Sequence, residues 1–422
     1  MEKPVTSVTS DQAAAGGRSL LRPIRNRSYR YLYLGQTVSG LGNGMYTITL
    51  AWTVYSVTGS ASDMGIVMIA NVLPQIGFMI FGGAIADRIP RRRVILASNV
   101  VAGLVTLAMA VAAALRALDL GTLICCSFLL GLSTAFFEPA FSAIFREVLE
   151  PGELRAGNAL RGMTANVNRL VSPALGGAAY LWGGSKVGFG FDAATFFFAA
   201  VTVAMISASG SPSPASEQSL LRDVKDGFSY LAATQWIFVL VLIALILNTL
   251  CIAPMEVLLA LVVRQAHQGS LVLGTALSVQ AGAAALGAAA VGKFGGRLRS
   301  GVAFFGLAGI MTCGVTIVGL NAGAWTIVAG MALVGAGFTF GVIEDTVLQR
   351  YIPNEYLGRV YSVGGVAAYS LLPLGYAWAG IGAVRFGPGP VLVGGGVLAI
   401  LACGAAYAVT MRKPDSVLSQ HF

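Results

Sequence analysis

The chain has 422 residues, 56% of them hydrophobic and only 11% charged, with a mean hydropathy of +0.76, where an ordinary soluble domain carries about 25% charged residues. This composition excludes a water-soluble globule, and at roughly 20 apolar residues per crossing the length holds on the order of twelve transmembrane helices. The five cysteines lie in apolar runs and the only histidines are at 267 and 421, so neither a disulfide framework nor a zinc site is expected.

In chain order, residues 1–28 form a polar N-terminal segment without a cleavable signal. Apolar runs between charged or Pro/Gly-rich breaks then predict spans near 30–56, 63–86, 94–115, 121–145, 162–184 and 188–208. A polar connection at 209–235 opens with Ser/Pro-rich sequence and continues with Leu220, Leu221, Val224, Phe228 and Leu231 at helical spacing, an amphipathic helix for the membrane surface. Six further spans follow near 236–262, 271–292, 301–320, 324–349, 360–384 and 389–411, and 412–422 is a polar tail. The expected fold is an all-α membrane protein with two six-helix bundles, 29–208 and 236–411.

The net charge of +9 is unevenly placed. With a cytoplasmic N terminus, the opposite side receives only Arg116, Lys186, Arg264 and Arg385, and Arg169 lies inside a span; the remaining Lys and Arg residues all fall on the cytoplasmic side. Both termini are therefore expected in the cytoplasm of a plasma-membrane protein, and the charge reads as a topology signal, with no nucleic-acid partner.

The halves echo each other about 200 residues apart, as internal repeats of a transporter do. Glu147-Val-Leu-Glu-Pro151-Gly-Glu153-Leu-Arg155 after span 4 parallels Arg350-Tyr-Ile-Pro353-Asn-Glu355-Tyr-Leu-Gly-Arg359 after span 10. Gly83-Ala-Ile-Ala-Asp87-Arg88-Ile-Pro-Arg91-Arg92-Arg93 after span 2 has a weaker counterpart, Gly292-Lys293-Phe-Gly-Gly-Arg297-Leu-Arg299, after span 8.

From Tyr29 to Met411 the chain resembles the major facilitator superfamily. The segment Gly83–Arg92 is similar to its signature loop between spans 2 and 3, and Leu34-Gly-Gln36, Pro173-Ala-Leu-Gly176-Gly177 and Gly358-Arg359-Val-Tyr-Ser resemble the branch of macrolide and siderophore (enterobactin-type) efflux proteins. The resemblance implies alternating access around a central cavity, a proton gradient as energy source, no cofactor, and a gating loop of Gly83, Asp87, Arg88, Arg91 and Arg92. It also implies an antiporter-like helix at Pro173, Gly176 and Gly177. Two positions depart from the superfamily's antiporter patterns: Ser172 replaces a glycine before Pro173, and Ser127 stands where many proton antiporters have an arginine four residues before Gly131.

Ionised side chains at mid-bilayer are costly and usually face a cavity or a partner. The candidates are Glu138, Arg169, Asp192, Glu256, Glu344 and Asp345. Glu138, or the Glu344/Asp345 pair, fits proton binding, with Arg169 the nearest cation for Glu138. A static Glu138–Arg169 ion pair and a capping role for Asp345 fit equally well. Asp192 and Glu256, near outer span ends, read as interfacial groups. Asn43, Gln36, Asn71, Gln75, Asn166, Asn168 and Asn248 are suited to substrate or to helix–helix hydrogen bonds. Tyr46, Trp52, Tyr55, Phe136, Phe137, Phe141, Tyr369 and Tyr376 are candidates to line an apolar cavity.

No enzyme signature survives. Gly287 to Lys293 resembles a phosphate loop, but Phe294 replaces the magnesium-binding hydroxyl and no strand precedes it. The expected function is export of a small amphipathic molecule (drug, antibiotic, siderophore or related natural product) by a monomeric carrier exchanging protons in the bilayer. The alternative is a facilitator or lipid-moving transporter without proton coupling.

Overall fold

The computed structural model describes residues 22–150, 153–206, 234–294, 299–352 and 370–411, with isolated positions 229, 360 and 364. Side chains at 79–88, 146, 155, 294 and 411 lie outside that description, as do the amphipathic segment 220–231 and the Gly358-Arg359 pattern.

The first half begins with α1 (Arg27–Thr58), α2 (Ala61–Arg88), α3 (Arg91–Ala114) and α4 (Leu120–Val148). Local chemistry sets their ends. Asn26 accepts from the Ser28 and Tyr29 N–H groups to start α1, and Gly59, at φ 69, ends it. Asp119 caps α4 through the Thr122 N–H at 2.9 Å. The next helical stretch, Leu154–Ala204, is 51 residues long and broken at Gly184, whose φ of 67 and ψ of −158 only glycine adopts without strain. It therefore makes two spans, α5 (154–183) and α6 (185–204).

In the second half, α7 runs as Gln235–Leu247, a π-helical turn at Asn248–Ile252, and Ala253–Gln265. Pro254 lacks an N–H, which favours such a turn, and Gly395 approaches the Leu250 carbonyl there. Then come α8 (Ser270–Phe294), α9 (Ser300–Gly319), α10 (Ala324–Gly337, resuming as Phe340–Tyr351), α11 (Leu372–Phe386) and α12 (Pro388–Met411). Nine stretches among the described residues are long and apolar enough to cross a membrane, the one containing Gly184 spanning 49 residues.

The helices pack as two bundles. α1 and α3 lie along the α5–α6 pair and α2 packs on α4; in the second half α8 and α9 pack on α10, and α9 on α12. Val54, Met109, Leu123 and Phe189 are buried in the first bundle, and Leu258, Phe304, Met311 and Met331 in the second. The described helix starts and ends at the N-terminal face are tied by charge. Arg91 pairs with Glu147, Arg22 with Glu153 at 3.0 Å, and Arg92 donates to the Val203 and Ala204 carbonyls that end α6. This is the basic face; the other is called the opposite face.

α5 starts at Leu154 rather than near 162. Arg161 does not mark the membrane edge: its guanidinium lies 4.8 Å above the centre of the Phe141 ring on α4, which lets the helix continue past it.

Candidate functional site: the cleft between the bundles

The bundles meet at the opposite face. Tyr55 on α1 donates to the Val257 carbonyl on α7, and Arg264 donates to the Tyr55 carbonyl. On α2, Ser62 donates to the Gly380 carbonyl of α11 at 3.2 Å, and on α8 Ser270 donates to the Gly177 carbonyl of α5 at 3.0 Å. Backbones approach closely here: a Cβ on Gly177 would lie 2.6 Å from the Ser270 carbonyl oxygen, and one on Gly65 2.8 Å from that of Tyr376. Gly176, one residue away, backs onto Met45 of α1 instead. The glycine pair thus serves one contact inside the bundle and one between bundles, while a Cβ on Gly274 of α8 would lie 2.5 Å from the carbonyl oxygen of buried Pro173.

Toward the basic face, Glu138 on α4 and Arg169 on α5 are both exposed, as are Asn43 and Asn166, while Gln36 is half-buried. Arg161, stacked on Phe141, registers α5 against α4, so at 1.5 Å per residue Glu138 stands about 5 Å and Arg169 about 12 Å further in. The two charges stand on helices that share few contacts, Arg169 the deeper, and among the described residues no ion pair joins them. The static pair suggested by the sequence is not formed. On α10, Glu344 is half-buried and Asp345 exposed.

Other side chains are committed to packing. Asn71 donates to the Ser127 carbonyl at 3.1 Å, Gln75 to Asn71, Asn168 to the Thr37 carbonyl at 2.9 Å and Asn248 to Ala244. The aromatic residues follow the same pattern. Tyr55 and Phe141 are buried, Phe137 stacks on Phe141 at 5.3 Å, and Trp52 meets Tyr180 edge-on; Tyr369 lies outside the described residues. Among the described residues these rings pack against the buried helix cores. In the loop after α2, Arg91 and Arg92 bind within the first bundle, and the side chains of Gly83, Asp87 and Arg88 lie outside the described residues.

Two acids sit differently from their expected interfacial places. Glu256 is nine residues inside the end of α7, accessible, with its carboxylate accepting the Tyr376 hydroxyl of α11 at 2.6 Å. It adjoins Val257, whose carbonyl closes the opposite face. Asp192 is 1% exposed within the first bundle. The tight turn at Gly184 starts α6 earlier than the expected 188, which carries Asp192 two turns inward; an isolated acid in the run 188–198 was the available signal.

The chain matches the family described as transmembrane secretion effector over residues 18–422. It is 27% identical over 359 residues to multidrug efflux pump Tap of Mycolicibacterium fortuitum, covering 81% of this chain and 86% of that one. It is 22% identical over 395 residues to macrolide efflux protein A of Streptococcus pyogenes, covering 91% and 96%. Among solved structures, a bacterial homologue of the iron transporter ferroportin in an inward-facing state aligns with a TM-score of 0.70 at 14% identity, covering 93% and 100%. An inward-facing bacterial homologue of the lysosomal transporter Spinster aligns at 0.67 and 14%, covering 93% and 98%. With the two-bundle fold and a match spanning nearly the whole sequence, the chain belongs to the transmembrane secretion effector family, an efflux branch of the major facilitator superfamily of transporters and not of enzymes.

Proposed function

We propose that this transporter expels small amphipathic organic molecules, of the drug, antibiotic, siderophore or natural-product class, from the cytoplasm in exchange for protons. The basic face is cytoplasmic in this reading, with both termini there, in a bacterial plasma membrane. The observation that carries it is the pairing of a sealed opposite face, held by Tyr55–Val257 and Ser62–Gly380, with exposed charges at Glu138, Arg169 and Asp345 on the cytoplasmic side. In a lipid-embedded helix, exposed charges belong to water-filled space. Glu138 or the Glu344/Asp345 pair exchanges the proton, Arg169 supplies a cation on the same side, and Asn43 and Gln36 offer hydrogen bonds to substrate. The names of the relatives support efflux as the direction.

Uncoupled or lipid-moving transport is the second reading. It is favoured by Ser127, whose buried position in α4 holds no cation where proton antiporters of the superfamily resemble one another in having arginine.

The experiment is accumulation of a panel of drugs and siderophores in cells with and without the protein, with a protonophore control. Protonophore-sensitive exclusion of at least one compound is expected, together with acidification of the cytoplasm when that compound is added. Exclusion that ignores the protonophore would leave only the second reading.

A further inference from the structure

The first bundle buries a carboxyl group that the cleft chemistry does not use. Asp192 on α6 is 1% exposed and its Oδ1 has no hydrogen-bond partner. Two other buried oxygens without partners lie in the same bundle: the hydroxyl of Tyr46 on α1, which senses the Asp192 carboxyl, and that of Ser127 on α4, beside Tyr46. Thr195 lies beside the carboxyl, its hydroxyl donating to the Asp192 backbone carbonyl at 2.7 Å. Three unpartnered polar atoms in one apolar place are unusual enough to need a cause.

Among the described residues no charge compensates the carboxyl. Residues 31–58 of α1, 94–114 of α3 and 120–137 of α4 contain no Lys, Arg, Asp or Glu. On the α5–α6 pair, Arg169 and Lys186 are exposed. The remaining titratable groups facing the cluster are Tyr46 itself and the Cys126 thiol. An isolated ionised carboxylate buried this way carries a heavy desolvation cost. The neutral acid instead has a proton to donate, and either hydroxyl oxygen can accept it; once ionised, the same carboxyl can accept from both hydroxyls. The trio is equipped for either charge state.

The seam that covers it is built of small residues. A Cβ on Gly42 of α1 would lie 2.6 Å from Asp192 Oδ1, one on Gly35 2.2 Å from the Thr202 hydroxyl, and one on Gly188 of α6 2.0 Å from that of Thr49. Helices joined through such residues pack by backbone proximity rather than by interlocking side chains.

We propose that Asp192, Tyr46 and Ser127 form an occluded proton-binding site in the first bundle, loaded in the present conformation and emptied when α1 parts from α6. Loading forms one O–H bond on the carboxyl; emptying breaks it and passes the proton to water, leaving a carboxylate served by the two hydroxyls. The site is separate from Glu138, Glu344 and Asp345, and the proposal does not require that substrate be exchanged for protons.

The test uses the full-length protein in liposomes and needs no substrate. Infrared spectroscopy at pH 7 should show a protonated-carboxyl band that is lost in Asp192→Asn and shifts in Tyr46→Phe, which replaces the neighbouring hydroxyl by a hydrogen and makes the surroundings of the carboxyl less polar. Spin labels at Val57 and His267 should report a wider opposite face as pH rises in the wild type and no pH response in Asp192→Asn. A wild type without the band, a band unmoved in Tyr46→Phe, or a pH response preserved in Asp192→Asn overturns the assignment. Protonophore-insensitive transport sinks the exchange reading instead and leaves these readouts standing.

Discussion

Tyr55 of α1 gives its hydroxyl to the carbonyl of Val257 on α7, and Arg264, seven residues further along α7, returns a hydrogen bond to the carbonyl of Tyr55. The two bundles are thus cross-linked through both ends of one residue that is itself 1% exposed. Tyr55→Phe removes one of these bonds and keeps the ring, so packing is preserved. A net loss of about 1 kcal/mol shifts a two-state equilibrium roughly fivefold. Spin labels at Val57 and His267 should accordingly show a larger population of long distances in Tyr55→Phe at constant pH. Unchanged distances would mean that the bond does not hold the face closed.

Glu256 and Tyr376 lie on the same closed face but inside one bundle, joining α7 to α11 at 2.6 Å. The Tyr376 carbonyl also backs onto Gly65 of α2, so a shift of this residue is felt across the bundle interface. Tyr376→Phe leaves the Glu256 carboxyl without this partner, and a buried polar group left unpaired costs about 1–3 kcal/mol. Transport by Tyr376→Phe should fall about tenfold or more, and Glu256→Gln, which retains an acceptor oxygen, should fall less. The comparison is made on initial rates in cells at matched protein levels; a larger loss in Glu256→Gln than in Tyr376→Phe would assign the role to the charge rather than to the bond.

Much of this architecture was legible in the sequence. Long apolar runs and the one-sided arginines located the spans, because lipid imposes length and loop charge with little context. The site was less legible. The expected break at 184 is where the chain turns, but Gly184 turns it without any polar loop, so α6 starts three residues earlier than the apolar run suggests and Asp192 lies deeper than the edge. Arg161 misled in the other direction, since a cation on an aromatic ring can sit inside a helix. Nor does spacing say whether Glu138 and Arg169 touch; that depends on where the side chains go across two helices.

Asp119 provides a pH test outside the membrane-spanning segments. It caps α4, and the hydrogen bond from the Thr122 hydroxyl at 2.5 Å, followed by that from the Thr122 N–H, holds its carboxyl below the usual carboxylate range. A group depressed in the folded state adds stability in full above its unfolded value of about 3.9 and loses it as pH falls through the lower folded value. Asp119→Ala should therefore unfold at a lower temperature than wild type at pH 7, and the gap should narrow in acid, once the wild-type carboxyl is protonated. Thermal unfolding in detergent across that range measures it; a gap that is constant with pH would remove the cap's ionic part.

The repeat reaches down to single contacts, and this gives the sharpest stability prediction. In the first bundle a Cβ on Gly131 of α4 would lie 1.9 Å from the Asn71 carbonyl oxygen of α2; in the second, a Cβ on Gly335 of α10 would lie 1.9 Å from the Gln280 carbonyl oxygen of α8. Both neighbours are backbone atoms of a helix, which cannot rotate away as a side chain would, so α2 and α4, or α8 and α10, must separate to admit even a methyl group. Overpacking of this kind costs about 1–3 kcal/mol. Gly131→Ala and Gly335→Ala should each lower the unfolding temperature in detergent, by similar amounts, and the double variant should lose close to the sum, because the two contacts lie in different bundles and share no partner. Gly292→Ala, where nothing lies within 4 Å of the added atom, is the control and should unfold with the wild type. If Gly131→Ala matched that control, the close α2–α4 approach would not exist in the membrane, and the paired glycines would lose their meaning as a structural repeat.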